Sequence, residues 1–269
     1  MLNTITQLTG ATVTATDGDI GHITSAFFDD QTWTIRYLVV DAGSWLTDRQ
    51  VLISPYSVNA PQGSASHISV SLNREQVKHS PDIDTHQPVS RQHERDVLGY
   101  YAYPLYWGGD GLWGVGGLPT VPPAIPDTVR QEVHSALHRR DVQAGDVHLR
   151  SSAHVTGYDI QASDESIGHV QDFVYDEATW SIRYLVVDTR NWWPGGRKVL
   201  ISVQWIEAID WATRQVRVSL TREQVKASPE FGGVETIQRE YEQRLHEAYK
   251  RPGYWADEVA QAQVTAVLR

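Results

Sequence analysis

Short runs of alternating apolar and polar residues, separated by turn residues, make up most of the chain. The segment TWTIRYLVVD, residues 32–41, sets Trp, Ile, Tyr and Val on one side of an extended chain and Thr, Arg, Leu and Val on the other. Side chains alternate between the two faces of a strand, so one face is wholly apolar and the other half apolar, which predicts a strand that is buried on both sides toward its end. Similar runs predict roughly five or six short strands within roughly 75 residues.

Helices are predicted after these strands. The segments NREQ (residues 73–76) and TREQ (residues 221–224) each place a capping side chain three positions before Gln, the pattern of a capping box at a helix start. A Ser-Pro pair a few residues later ends each short helix. A second helical stretch is predicted near residues 90–101 and near residues 234–249.

The whole pattern occurs twice. The segment TWSIRYLVVD, residues 179–188, matches residues 32–41 at nine of ten positions, 147 residues further along the chain. Matching segments continue on both sides, and the offset becomes 148 after one inserted residue. This period is too long for a solenoid repeat and indicates a duplicated domain. We therefore expect residues 8–81 and 155–229 to share one topology.

The duplication predicts four regions along the chain. They are a first unit with its helical and aromatic tail at residues 1–108, a linker at 109–147, a second unit with its tail at 148–257, and a C-terminal extension at 258–269. The start of the linker is rich in Gly and Pro. Its later part favours either a short amphipathic helix or an irregular segment.

The predicted fold class is mainly β with α, as two homologous small antiparallel β-barrels, each followed by a helix and an aromatic tail. A closed or nearly closed barrel is expected because closure leaves no unpaired sheet edge. Units that descend from a homodimer would keep the ancestral two-fold contact, so an intramolecular pseudo-dimer is also predicted.

The sequence IRYLVVD followed by VLIS, present in both units, resembles the PRC-barrel family. That family is named from the cytoplasmic region of the photosynthetic reaction-centre H subunit and includes stand-alone bacterial proteins. The resemblance implies a small β-barrel used for binding and assembly, and it implies no reaction. The tail SRQHERDVLGYYAYPLYW also resembles the reaction-centre-H-like branch. The membrane helix that opens such a subunit has no counterpart here, which argues against this chain being that subunit.

Composition and charge narrow the choice of partner. The formal net charge of −10 disfavours nucleic acid and anionic lipid surfaces, because an acidic surface repels phosphate groups. The chain has no cysteine, which excludes disulfides and thiolate chemistry. It has no apolar run long enough for a transmembrane segment and no signal-peptide pattern at its start, so a cytoplasmic location is expected.

The ionisable residues of the repeated strand are predicted to be structural. Asp41 and Asp188 close the strand, where carboxylates bond backbone amides of a turn. Arg36 and Arg183 lie in mid-strand, where a carboxylate across the sheet is the expected partner. Acid–base catalysis by the first pair and ligand binding by the second pair are the competing interpretations.

No metal or cofactor site is predicted. His22 and His169 are equivalent, but two histidines rarely suffice for a metal, and His134 and His138 are four apart without an intervening Glu. The glycine-rich segment GGDGLWGVGG at residues 108–117 lacks the features of a phosphate-binding loop and is interpreted as linker.

Aromatic side chains are concentrated at the end of each unit, and they form the candidate binding surface. Trp33 and Trp180 of the repeated strand are predicted to be mostly buried. Each tail is predicted to dock on the barrel of the other unit, with docking on its own barrel and a free, partner-binding tail as alternatives. The candidate binding residues are Tyr101, Tyr106, Trp107, Tyr249, Tyr254 and Trp255.

The sequence as a whole predicts a non-catalytic scaffold or adaptor that binds an unknown protein partner, with no nucleic acid, cofactor or metal. The resemblance leaves two alternatives open. One is a peripheral accessory of a photosynthetic or other membrane-bound complex, and the other is an accessory of RNA or ribosome processing. The acidic charge argues against the second alternative.

Overall fold

The computed structural model describes residues 1–46, 49–59, 66–81, 89, 91–107, 109, 111–114, 116–121, 148–190, 192 and 195–256. Within them the chain forms two compact units. The N-terminal unit comprises Ile5–Ala153 and Glu177–Ser181, and the C-terminal unit comprises Met1–Thr4, His154–Asp176 and Ile182–Arg269. The helix predicted late in the linker and the C-terminal extension lie outside the described residues.

The fold is mainly β with short helices. The strands are β1 (Leu2–Thr4), β2 (Thr12–Ala15), β3 (Gly18–Asp29), β4 (Thr34–Asp41), β5 (Gln50–Ile53), β6 (His67–Ser69), β7 (Leu149–Ser151), β8 (Asp159–Gln161), β9 (Ser166–Asp176), β10 (Ile182–Asp188), β11 (Lys198–Ser202), β12 (Ile206–Asp210) and β13 (Gln215–Val218). The α-helices are α1 (Ile5–Leu8), α2 (Arg74–Lys78), α3 (Arg91–Tyr100), α4 (Ser152–Val155), α5 (Arg222–Ala227) and α6 (Arg239–Tyr249).

The two units have the same strand order. The N-terminal sheet runs β5-β4-β3-β2-β6, and the C-terminal sheet runs β11-β10-β9-β8-β13 and then β12. The pairs β2–β6 and β8–β13 are parallel, whereas the other pairs are antiparallel. Register is equivalent too, since His22 pairs with Asp41 and His169 pairs with Asp188. The prediction of one shared topology is confirmed.

The prediction of two closed barrels is not confirmed. Among the described residues, the hydrogen-bonded order of each sheet ends in two separate edge strands, β5 and β6 in one unit and β11 and β12 in the other. A closed barrel was expected because closure leaves no unpaired sheet edge. Here the edge strands have only three to five residues each, and short edge strands are another way in which proteins limit an exposed edge.

Each sheet is completed by a short strand from a distant part of the sequence. Strand β1 at the start of the chain pairs with β9 in the C-terminal unit, with Asn3 opposite Tyr175. Strand β7 pairs with β3 in the N-terminal unit, with Arg150 opposite Phe28. These two pairings are equivalent at an offset of 147 residues. The duplicated units have therefore exchanged their first strands.

A repeated glycine marks a close approach of two backbones. Gly21 has a φ of +157°, and a Cβ atom there would lie 1.9 Å from the carbonyl oxygen of Asp41. Gly168 has a φ of +137°, and its Cβ would lie 2.1 Å from the carbonyl oxygen of Asp188. Only glycine fits both this backbone conformation and the available space. This explains why both copies contain the sequence Ile-Gly-His.

The repeated strand forms the centre of each core. In β4 every residue from Thr34 to Val40 is buried, so burial on both faces extends over nearly the whole strand and not only toward its end. Trp180 is 6% exposed, as predicted. Trp33 is less completely buried than Trp180, and it stacks on Phe28 with the ring centroids 5.3 Å apart.

Both predicted capping boxes are present and start helices α2 and α5. The Asn73 side chain accepts from the Gln76 N–H, and the Gln76 side chain accepts from the Asn73 N–H. Thr221 and Gln224 make the same reciprocal pair. The second helical stretches are α3 and α6, and each delivers an aromatic tail to the sheet of its unit.

Candidate functional site

A buried arginine organises the tail of the N-terminal unit. Arg36 on β4 is 2% exposed, and its guanidinium carbon lies 3.7 Å from the ring centroid of Tyr106. Its Nη1 donates to the carbonyl oxygen of Leu112 at 2.5 Å, and its Nη2 lies 3.8 Å from a carboxylate oxygen of Asp29 on the neighbouring strand. Burial lowers the pKa of Arg36 below its ordinary value. The predicted carboxylate partner across the sheet is confirmed.

A buried carboxylate joins helix α3 to the same tail. The hydroxyl of Tyr106 donates to Oε1 of Glu94. The Nε2 atom of His148, next to strand β7, lies 3.1 Å from Oε2 of Glu94. Both Glu94 and His148 are almost completely buried. One carboxylate therefore connects the helix, the aromatic tail and the start of the exchanged strand.

Trp113 completes this site, and the sequence analysis missed it. It lies in the glycine-rich segment that was interpreted as linker, yet it is only 4% exposed. Its ring meets Tyr56 edge-on at 5.0 Å and lies 4.8 Å from the Arg36 guanidinium, while its Nε1 donates to the carbonyl oxygen of Thr179 at 2.9 Å. The available signal was a bulky indole between glycines, because burial of such a large aromatic side chain stabilises the folded state.

The C-terminal unit holds its tail with a related set of residues. The guanidinium of Arg183 on β10 lies 4.1 Å from the ring centroid of Tyr254, and its Nη2 lies 3.7 Å from a carboxylate oxygen of Asp176. The hydroxyl of Tyr184 donates to Oε1 of Glu242 on α6 at 2.8 Å. Burial and the nearby Glu242 carboxylate raise the pKa of Tyr184 above its ordinary value.

His246 closes this second cluster. Its Nδ1 atom faces the carbonyl oxygen of Pro252 at 2.8 Å and must donate a proton there, since a carbonyl only accepts. Its Nε2 atom lies 3.1 Å from the Tyr184 hydroxyl. Burial lowers the pKa of His246, which favours the neutral imidazole. His246 has no histidine counterpart in the first copy, where Leu98 stands at the equivalent position.

The comparison with protein families agrees with this geometry. The family model for the PRC-barrel domain matches residues 151–225, which span strands β8 to β13 and most of helix α5. The C-terminal unit carries a PRC-barrel domain. No curated protein matches the chain. The equivalent strands of the N-terminal unit, β2 to β6, repeat the order and register of the matched segment.

The tail of each unit packs on the sheet of its own unit, so the prediction that each tail docks on the other unit is wrong. Tyr103 packs on Tyr56 with the ring centroids 5.4 Å apart, and Tyr249 packs on Trp205 at 4.6 Å. The physical reason is the contact of Tyr106 with Arg36 and of Tyr254 with Arg183, because in each unit the central strand provides a cation for the face of a tail ring.

The six candidate binding residues divide by burial. Tyr106, Tyr249 and Tyr254 are buried and belong to the packing described above. Tyr101, Trp107 and Trp255 are half buried. The neighbouring Tyr100 is 41% exposed and meets Tyr101 edge-on at 4.9 Å. A binding role for these residues stays a prediction.

The two strand-end aspartates bond turn groups, as predicted. Asp41 accepts from the Gly43 N–H at 2.9 Å. Asp188 accepts from the Arg190 N–H at 2.9 Å and is also paired with the Arg190 side chain. These hydrogen bonds lower the pKa of Asp188 to about 2.

Within the described residues, no group of three or more His, Asp or Glu side chains is arranged to hold a metal ion. In the same part of the chain, no helix has both the length and the apolar composition needed to cross a membrane.

Proposed function

We propose that this protein is a non-catalytic scaffold that binds a protein partner. The observation that carries the proposal is the use of the repeated polar residues. Arg36 and Arg183, like Glu94 and Glu242, contact rings or hydroxyl groups that hold each tail on its sheet. These contacts make each tail rigid on its sheet, and a rigid surface reduces the entropy that a binding module loses when it binds.

An enzymatic function has less support. Catalysis needs acid, base or nucleophile groups that converge on a space for substrate. The buried carboxylates Glu94 and Glu242 point into packed rings, and each accepts from a tyrosine hydroxyl. These contacts supply what a buried carboxylate requires for stability.

The proposed contact surface is the set of aromatic rings that the tails leave partly exposed. Tyr100 and Tyr101 form an edge-on pair, and Tyr101 stacks on Tyr103 at 5.5 Å. In the C-terminal unit Trp255 is half buried, with the guanidinium of Arg239 4.4 Å from its ring. Tyr, Trp and Arg are the side chains enriched in the energetic centres of protein interfaces.

Affinity purification of the full chain from its native cells tests the proposal. We expect a protein to co-purify in a fixed stoichiometric ratio, and we expect the Trp255→Ala variant to lose it. The control is Trp45→Ala, which removes a half-buried tryptophan outside the tails. No stoichiometric partner, or equal loss with the control, would contradict the proposal. Fractionation of the same cells tells whether the partner lies in a membrane complex.

A further inference from the structure

Each compact unit takes segments from both halves of the sequence. Residues 1–121 are called the N-terminal half here, and residues 148–256 are called the C-terminal half. The N-terminal unit includes β7 and residues 177–181 from the C-terminal half, whereas the C-terminal unit includes β1 from the N-terminal half. The N–H of Ile35 donates to the Trp180 carbonyl oxygen at 2.8 Å, which ties residues 177–181 to β4. Neither unit is therefore complete without both halves.

The two exchanged strands occupy equivalent places. Leu2 lies opposite Asp176 and Leu149 lies opposite Asp29, so the two pairings have the same register at an offset of 147 residues. Strand β1 has the sequence Leu-Asn-Thr and strand β7 has Leu-Arg-Ser, so both begin with leucine and end with a hydroxyl side chain. Each is followed directly by a four-residue helix, α1 or α4. The edges beside β3 and β9 therefore receive one kind of strand.

The strand pairings that complete the units lie outside residues 122–147, which join the two halves. In general, a covalent connection gives one half an effective concentration of up to about the millimolar range near the other half. Two copies of the chain can make the same pairings reciprocally, with the N-terminal half of one copy against the C-terminal half of the other. Such an exchange of identical elements is a low-cost route to a dimer, because each contact is replaced by its equal.

We propose that a second copy of this chain is a binding partner, and that the two copies form a dimer by exchanging halves. Strand β1 of each copy completes the C-terminal unit of the other, and strand β7 of each copy completes the N-terminal unit of the other. The contact surfaces are the edge of β9 at Val174–Asp176 and the edge of β3 at Phe27–Asp29. This inference goes beyond the scaffold function and does not depend on it.

A second copy fits these edges better than an unrelated protein does. It carries both donor strands and both receiving edges, so every strand that leaves its own chain is replaced by an identical one. An unrelated extended segment would fill one edge and leave the displaced strand without a sheet. Unpaired backbone groups at a sheet edge promote such association, and here the exchange satisfies them at both edges together.

The first test is the mass of the full-length protein after refolding at two concentrations. The wild-type chain is unfolded in urea, refolded at about 1 µM or about 500 µM, and measured by light scattering after size-exclusion chromatography. We expect 30.3 kDa at the lower concentration and a mixture with a species of twice that mass at the higher one. Each copy has a net charge of −10, so refolding is done at about 0.3 M salt, which screens the repulsion between copies.

The second test asks whether β1 of one copy lies beside β9 of another. The natural chain has no cysteine, so introduced thiols report only the intended contact. One tagged copy carries Leu2→Cys and a second, differently tagged copy carries Asp176→Cys, at positions directly opposite each other in the sheet. After the two are refolded together at the higher concentration and oxidised, we expect a disulfide between the two tags. The control pairs Leu2→Cys with Glu207→Cys, which places the thiol on an exposed residue of β12.

Two outcomes would overturn the inference. One is a mass of a single chain at both concentrations. The other is a dimer in which Leu2→Cys links to Asp176→Cys no more than to Glu207→Cys, since that dimer would use a different surface. The mass measurement uses the wild-type chain and stays decisive if a cysteine variant fails to fold. Neither result bears on the capture of a different protein from cells, which tests the scaffold function separately.

Discussion

Replacement of Trp113 by Ala tests whether the glycine-rich segment is part of the N-terminal fold. The ring is almost fully buried against Tyr56 and Tyr106, and it lies beside the guanidinium of Arg36. Removing it deletes these contacts together with the hydrogen bond from Nε1 to the Thr179 carbonyl oxygen. It also uncovers one side of a buried arginine, whose charge is then less well compensated.

The expected loss in the free energy of unfolding is about 3–5 kcal/mol, the range for a buried tryptophan truncated to alanine. Trp113→Phe is the matched control, because it keeps an aromatic ring and removes the donor of the 2.9 Å hydrogen bond. The Phe variant should lose about 1 kcal/mol of unfolding free energy for the missing hydrogen bond, and a further, smaller amount because Phe fills less space than Trp.

Urea unfolding followed by far-ultraviolet circular dichroism measures both variants, and circular dichroism avoids the signal of the other tryptophans. The urea concentration at the midpoint of unfolding should fall in the order wild type, Phe variant, Ala variant. A loss below about 1 kcal/mol for the Ala variant would refute the reasoning, since it would mean that the indole contributes no more than a surface side chain.

Three further perturbations follow from the contacts described above. Gly21→Ala should cost at least about 2 kcal/mol in a urea titration, because its Cβ would lie 1.9 Å from the Asp41 carbonyl oxygen; an unchanged midpoint would show that the two backbones separate freely. Trp180→Ala should cost about 3–5 kcal/mol, and a melting curve unchanged within error would mean that the ring is exposed in solution. Stability should fall as pH drops below 6.5, the ordinary pKa of the His246 imidazole, because burial lowers that pKa and the unfolded chain takes up the proton first. His246→Leu, which copies Leu98, should remove this part of the pH dependence, and an unaltered pH profile would assign it to another group.

Local sequence signals predicted the strands and the helix starts. The alternation in residues 32–41 corresponds to β4, and the capping boxes at Asn73 and Thr221 are present in the structure. These features depend on a few neighbouring residues, so a single sequence contains what is needed to predict them. The reason for a glycine at position 21, which is the close backbone of Asp41, became visible only in the fold.

Features that depend on distant contacts were missed. The exchanged strands β1 and β7 have three residues each, too few for a periodic pattern. The unit on which each tail docks was predicted wrongly, because a linker of roughly 40 residues is long enough for docking on either unit. The sheet on which each tail docks is determined by Arg36 and Arg183 in the central strands. The alternation of residues in those strands does not indicate which rings the two arginines contact.

The exchange of first strands has a consequence for the order in which this protein folds during synthesis. The N-terminal unit lacks β7 until residues 149–151 have left the ribosome, although its other strands end at Ser69. Strand β1 is made long before β9, the strand with which it pairs. Domains usually fold as they emerge, one after the other. In this chain the first unit must wait with an open edge beside the end of β3, and it is complete only after residues Glu177–Ser181 have also been made.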